Sequence, residues 1–202
     1  MRGFTVIDAL SDFAFYENGA VENPIPANNA IEPFLKAQIE NLWTYYCCSQ
    51  NVKVGNRFFA MPSYRNRILG IQMYKHGIAG FLHWGYNFYY SQLSRRLINP
   101  YITTDADGAF PSGDAFSVYP GVDGPLPSLR LKVFHEALQD MRALALLERY
   151  MPKSEIISMI EELAGMEITF SQYPHNAEFS LNVRETVHRK LAGFIENESG
   201  VI

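Results

Sequence analysis

Gly80-Phe-Leu-His-Trp-Gly-Tyr-Asn-Phe-Tyr-Tyr90 is a short apolar run that passes without a break into aromatic and amide residues. The run from Gly80 to Gly85 has the length and residue types of a buried strand, and the polar groups collect at its C-terminal end. Upstream, from Tyr64 onward, Ile68, Leu69, Ile71, Gln72 and Tyr74 suit a helix that stops at Gly77, a natural residue just past a helix end. Before it, Leu42-Trp-Thr-Tyr-Tyr-Cys-Cys48 is rich in β-favouring residues and has no helical stripe, which predicts a second strand. Ile31, Phe34, Leu35 and Ile39 recur at helical spacing behind a plausible N-cap, Asn29. Gly3-Phe-Thr-Val-Ile-Asp-Ala-Leu10 reads as another short buried strand, with Asp8 at or near its C-terminal end. Strand, helix, strand, helix, strand at close spacing argues for parallel βαβ units.

The remaining segments complete an α/β reading. Residues 17–29 and Gly55 to Pro62 carry loop chemistry, and Asn87 to Gly113 is a long polar stretch without periodicity, a type of loop that is usually functional. Ala115 to Tyr119 reads as a fourth strand, closed by the turn Pro120-Gly-Val-Asp-Gly-Pro125. Three helices follow. The first starts at Leu126 or Ser128 and turns Phe134, Leu138, Met141 and Ala145 inward, with Glu136, Asp140, Arg142 and Arg149 outside. The second carries Ile156, Ile160 and Leu163 and ends at Gly165; the third follows Asn176 with Phe179, Val183, Val187, Leu191 and Phe194. A single domain over 1–202 is expected.

Composition excludes several classes of partner. The 202 residues are 48% hydrophobic and 19% charged, ordinary for a globular chain, and the net charge is −4 without a run of Lys or Arg. Nucleic acid, which needs a basic footprint, is therefore not an expected partner. Apolar stretches fall far short of the roughly 20 residues that span a bilayer, so no membrane association and a cytoplasmic location are expected. Cys47 and Cys48 are adjacent and point to opposite faces if they lie on a strand, which predicts two buried free thiols rather than a metal grip.

The chemistry-bearing residues are few. The acids worth weighing are Asp8, Asp12, Asp105, Asp107 and Asp114, and no adjacent acidic pair sits at a strand end. Asp105-Ala-Asp107-Gly108 resembles the opening of a calcium loop without its further ligands, and a solvated turn is the preferred reading. The histidines, His76, His83, His135, His175 and His188, have no metal-ligand spacing; no metal and no cofactor are expected. No Gly-rich phosphate loop and no Gly-x-Ser-x-Gly elbow is present. What remains is the aromatic block. Trp84 can stack on a sugar face, and Tyr86 and Asn87 can hydrogen-bond hydroxyl or acetamido groups; the same residues serve equally as an aromatic plug on the core.

Leu42-Trp-Thr-Tyr-Tyr-Cys-Cys48, Gly80-Phe-Leu-His-Trp-Gly-Tyr-Asn87, Gly113-Asp114 with Val118-Tyr-Pro-Gly121, and Pro127-Ser-Leu-Arg130 with Ala137-Leu-Gln-Asp140 are similar, in order, to the C-terminal blocks of the glycoside hydrolase family 123 catalytic domain. The resemblance implies the C-terminal portion, about four parallel strands, of a (β/α)8 TIM-type barrel over residues 1–150, with a C-terminal helical extension over 151–202. It implies β-N-acetylgalactosaminide substrates and a retaining mechanism in which the substrate's own acetamido oxygen attacks the anomeric carbon. In the family an Asp-Glu pair polarises the acetamido group and supplies the general acid; it lies upstream of the first matched block, and this sequence has no Asp-Glu dipeptide. Loss of such an acid removes about 10²- to 10⁴-fold in rate.

Carried onto the matching blocks, the resemblance has Tyr45 or Tyr46 and Trp84 lining the acetamido pocket, Asn87 touching the sugar and Asp8 at the rim. Tyr86 and Asp114 complete the candidate substrate-binding set. The expectation is the sugar-pocket portion of an N-acetylhexosaminidase-like hydrolase, inert or nearly so alone, with a non-catalytic carbohydrate-binding or assembly module as the alternative. A third reading makes Asp8 and Asp114 a self-sufficient acid pair. Four parallel strands leave two open edges, so a homo-oligomer, a separately encoded N-terminal barrel half or a missing remainder is expected to cover them.

Overall fold

A computed structural model describes residues 6–199 of the chain. The two aromatic runs form β1 (Trp43–Tyr45) and β2 (Gly80–Leu82), which pair in parallel with Trp43 opposite Gly80 and Tyr45 opposite Leu82. Two more passages join this layer through single parallel bridges, Ala27 to Tyr45 and Asp8 to Pro24. Residues 17–29, expected as loop, thus supply a parallel passage. Pro24 and Pro26 carry no N–H, so the segment pairs through the Ile25 N–H, which donates to the Asp8 carbonyl, and the Pro26 carbonyl, which accepts from the Tyr45 N–H. Such a passage has neither the β-branched run nor the alternation that announces a strand. Of the strand expected over Gly3–Leu10, residues 3–5 lie outside the described residues.

The fourth parallel strand is corrected. Val118–Gly121 (β3) turns back onto Gly124–Pro127 (β4) as an antiparallel hairpin, and Phe116 bridges antiparallel to Asn87. The turn itself is the cause, since two residues close a hairpin whereas a parallel return needs a crossover of a dozen or more. Among the described residues the parallel layer therefore holds two strands and two bridged passages rather than four strands.

Helices cover one side of that layer. The short α1 (Ala14–Glu17) and α2 (Glu32–Lys36) precede β1, and α3 (Tyr64–Arg67) and α4 (Leu69–His76) lead to β2. After the hairpin come α5 (Leu129–Leu147), α6 (Lys153–Ala164) and α7 (Ala177–Ser199). Three expected ends hold: the Ser128 hydroxyl accepts from the Leu131 N–H at 3.2 Å, and Gly77 and Gly165 close α4 and α6 at φ 65° and 66°. Asn29 is corrected as a cap: α2 starts after Ile31 with no side-chain cap, and Asn29 Oδ1 accepts from the Gln50 amide instead.

Phe34, Leu42, Tyr46, Leu69, Met73 and Phe170 form one buried cluster beneath β1. Ile68, Ile71, Leu144, Leu147, Ile156, Ile160, Val183, Val187 and Leu191 form a second among the helices. The α4–α5 contact is so close that a Cβ on Gly70 would lie 1.9 Å from the Ala137 carbonyl oxygen. The inward face expected for α5 is partly corrected: Ala145 is exposed, and Asp140 is buried between Arg67 and Arg184. Leu163, expected inside α6, is also exposed.

Strand alternation leaves the other side of the layer open. Thr44 and Tyr46 point into the protein and are buried, whereas Trp43 is 37% exposed and Tyr45 half-buried. Cys47 and Cys48, just beyond β1, are free but half-buried rather than buried.

Candidate functional site

The bridges fix which residues share a level. Ala27, Tyr45 and Leu82 are side by side, so Trp84 and the residues after it lie beyond the C-terminal end of the layer. Asp8 is level with Pro24, three residues before Ala27, which puts it roughly 10 Å short of that end at about 3.3 Å per residue. The Ser11 hydroxyl, which accepts from the Ala27 N–H at 2.9 Å, stands at the level of Tyr45 instead. Asp8 and Asp114 are thus not brought to the same end, and Ile7 instead shares a surface hollow with Pro24, Ile39, Leu42 and Trp43.

At the C-terminal end, three segments meet on one guanidinium. Arg57 Nη2 donates to the Trp84 carbonyl at 3.0 Å and to the Asp114 carbonyl at 2.8 Å, and it stands 3.8 Å from Asp114 Oδ1. The guanidinium also lies 5.1 Å from the centre of the Tyr46 ring. Its own loop is pinned to the end of β1, because the Asn56 amide donates to the carbonyls of Cys47 and Gln50. Gly85 brings the β2 end onto Asp114: its φ is +63°, and a Cβ there would lie 2.7 Å from the Asp114 carbonyl oxygen.

The candidate residues divide accordingly. Trp84 and Asp114 are brought together, with Tyr86 and Asn87 next to them; the Tyr86 carbonyl accepts from the Ser117 N–H at 2.8 Å, and both side chains are exposed. Tyr45 stands on the open face beside Leu82. Tyr46 is fully buried on the helix side, and its hydroxyl donates to Asn66 Oδ1 at 3.0 Å. The Trp84 ring is covered by Phe110, at 5.2 Å between centroids, and by Phe88 at 6.1 Å.

Burial sets the electrostatics. Desolvation pushes the Asp114 carboxyl up to about 6 despite the nearby Arg57 and Arg130, and it holds His83 down at about 4, with Arg57 adding to the effect. The Tyr46 hydroxyl is pushed up to about 12 by burial. At neutral pH the site therefore presents a neutral imidazole, two guanidinium groups and a carboxylate that readily takes up a proton. Among the described residues no group of three or more His, Cys, Asp or Glu could hold a metal ion. Asp105–Gly108 is a turn in which Asp105 Oδ1 accepts from the Gly108 N–H, while Asp107 pairs with Arg96. No helix among the described residues is long and apolar enough to cross a membrane.

With this geometry, the comparison with known proteins is specific. The glycoside hydrolase 123 catalytic-domain model matches residues 1–147. The chain belongs to this family. No curated protein matches it. Among solved structures, a family 123 glycoside hydrolase from Clostridium perfringens, analysed for its hydrolysis of glycolipid glycans, aligns with 98% of this family 123 chain at a TM-score of 0.62 and 14% identity. The alignment spans 37% of that enzyme's chain, and at this identity it speaks for the fold alone.

Sequence reasoning missed Arg57 and Arg130 and gave His83 no role. His83 and Arg130 fall inside matched blocks; Arg57 sits in the buried loop run Gly55-Asn-Arg-Phe58, which carries no motif.

Proposed function

We propose that this chain supplies the C-terminal portion of a TIM-type barrel of a glycoside hydrolase acting on N-acetylhexosaminides, with Tyr45, Trp84, Tyr86 and Asn87 around the sugar and the buried Asp114 behind them. The observation that carries the reading is the meeting of Trp84 and Asp114 on Arg57, at the end of the parallel layer where barrel enzymes hold their sites. In this reading the Trp84 ring takes a sugar face, and Tyr86 and Asn87 hydrogen-bond the acetamido or hydroxyl groups. The substrate's acetamido oxygen attacks the anomeric carbon, so the protein's share is a polarising acid and a proton donor. Asp8 stays outside the proposal because of its level in the layer, and Tyr46 supports the site from beneath.

No Asp-Glu dipeptide is present, so the proton donor is proposed to come from outside these residues. The open face bearing Trp43 and Tyr45 suits a second copy of this chain or a separate N-terminal barrel half. Residues 1–202 act as one domain in this scheme. Hydrolysis of p-nitrophenyl N-acetyl-β-galactosaminide tests it, measured with the chain alone and with an N-terminal barrel half from a family 123 hydrolase. Activity in the second case with at most a trace in the first is the expected result. Absence of activity in both, together with saturable sugar binding, favours the alternative of a carbohydrate-binding module.

A further inference from the structure

We propose that Arg57 is the positioning residue of this site, holding the backbone of Trp84 against that of Asp114; the sugar-binding consequence rests on the reading above. Its side chain is 1% exposed, and the one nitrogen that bonds, Nη2, reaches carbonyls from two segments 30 residues apart in sequence, the β2 end and the loop before Ala115. Arg57 Nε and Nη1 and both Asp114 carboxylate oxygens have no hydrogen-bond partner in the protein.

A purely structural role explains this arrangement poorly. Buried ion pairs are commonly replaced by apolar residues of similar volume without loss of stability, and this pair lacks even the hydrogen bonds that favour one. What the guanidinium does provide is a planar, permanently charged terminal NH2 whose two hydrogens, at a fixed angle, hold two carbonyls in one geometry. The Asn56 bonds to Cys47 and Gln50 tie that group to the end of β1, so Tyr45, Trp84 and Asp114 are held in relation to one another through a single side chain. Lysine would keep the charge, but its shorter stem and freely rotating ammonium would not fix that angle.

The test uses the full chain with Trp43→Phe, which leaves Trp84 as the sole tryptophan of the two. 5-Fluorotryptophan labelling reads the Trp84 environment by ¹⁹F NMR without any sugar, and Trp84 fluorescence follows a titration with N-acetylgalactosamine. In Arg57→Lys the ¹⁹F line is expected to shift and broaden while far-UV circular dichroism is retained, and sugar affinity falls at least tenfold. In Arg57→Ala, added guanidinium ion at low millimolar concentration is expected to return the line toward its parental position. An unchanged ¹⁹F line in Arg57→Lys overturns the proposal, and so does loss of the fold in both variants, which would make Arg57 a residue of the fold and not of the site. If the parent shows no sugar response, the glycosidase reading fails separately, and the ¹⁹F comparison still decides the role of Arg57.

Discussion

The Asp114 carboxylate lies 3.8 Å from Arg57 Nη2, beyond hydrogen-bond distance, with both side chains shut off from solvent. The neighbouring arginines therefore do not offset the cost of burying the charge, and the carboxyl rises to about 6. His83, whose Nε2 stands 3.4 Å from the Ser117 hydroxyl, moves the other way, to about 4. The signs oppose each other. Between pH 4 and 6 folded Asp114 holds a proton that the unfolded chain releases, so its contribution to stability falls as pH rises. Over the same window unfolded His83 holds a proton that the folded ring refuses, so its contribution rises with pH.

Removing one group should expose the other. In the parent chain the two contributions largely cancel. Asp114→Asn is expected to lose stability as pH falls from 6.5 to 4, the window set by the remaining His83, and His83→Gln to gain stability as pH falls from 6 to 4, the window set by the remaining Asp114. Each swing is on the order of 2 kcal/mol, at about 1.4 kcal/mol per tenfold change in proton affinity. Urea unfolding of the three proteins at pH 4, 5, 6 and 7 measures it. Parallel curves would show that neither group is buried as described.

Asp140 ties three helices together. Its carboxylate accepts from Arg67 Nε at 2.8 Å and from Arg184 Nε at 2.6 Å, joining α3, α5 and α7. Asp140→Ala leaves Arg67 without a carboxylate and Arg184 with Glu136 alone, and is expected to cost about 3 kcal/mol. Arg184, a quarter exposed, also serves Glu136, and Arg184→Ala is expected to cost only about 1 kcal/mol because Asp140 keeps Arg67. Denaturant midpoints give both values, and the order of the two losses is the point at issue.

Sequence carried the fold wherever a residue's role is local. Gly77 and Gly165 stop helices because a left-handed residue needs no Cβ, Ser128 caps because its hydroxyl reaches an N–H three residues on, and the α7 stripe repeats with the helical period. What escaped depends on partners distant in the chain. Asp140 reads as solvent-facing until Arg67 and Arg184 surround it, and Pro24 and Pro26 read as loop until their neighbours bridge to Asp8 and Tyr45. Trp84, Tyr86 and Asn87 stand out in the sequence as neighbours in one aromatic and amide block, and Asp114 as one of few acids, but that Trp84 and Asp114 come together is visible only in the structure. Arg57 does not stand out, since nothing in a loop sequence says which carbonyls, 27 and 57 residues further on, its side chain will bind. Register was the other hidden quantity, and it separates Asp8 from Tyr45.

Gly70→Ala sets two effects of opposite sign against each other. In an exposed helix alanine is favoured over glycine by about 1 kcal/mol. Here the added Cβ would lie 1.9 Å from the Ala137 carbonyl oxygen, backbone against backbone, where no rotamer change relieves the overlap. Separating α4 from α5 also loosens Ile68, Ile71 and Leu144 in the helical cluster. The clash is expected to win by about 2 kcal/mol or more, read as a lower thermal midpoint. A midpoint at or above the parent's would mean that the two helices stand further apart than this.

Phe110 bears on whether the Trp84 ring is available. Its ring meets that of Trp84 edge-on at 5.2 Å, on the loop that ends at Gly113, and Trp84 Nε1 is buried without a protein partner. Phe110→Ala, in a chain carrying Trp43→Phe, should admit water to the indole and move its emission to longer wavelength. If the covered side is the one a sugar uses, the same change removes a competitor for the ring, since aromatic contacts of this kind are worth about 0.5–1.5 kcal/mol. N-acetylgalactosamine is therefore expected to bind severalfold more tightly to the variant. A red-shifted emission with weaker sugar binding would instead make Phe110 part of the sugar-facing wall, because solvent access would have risen while the platform lost a contact.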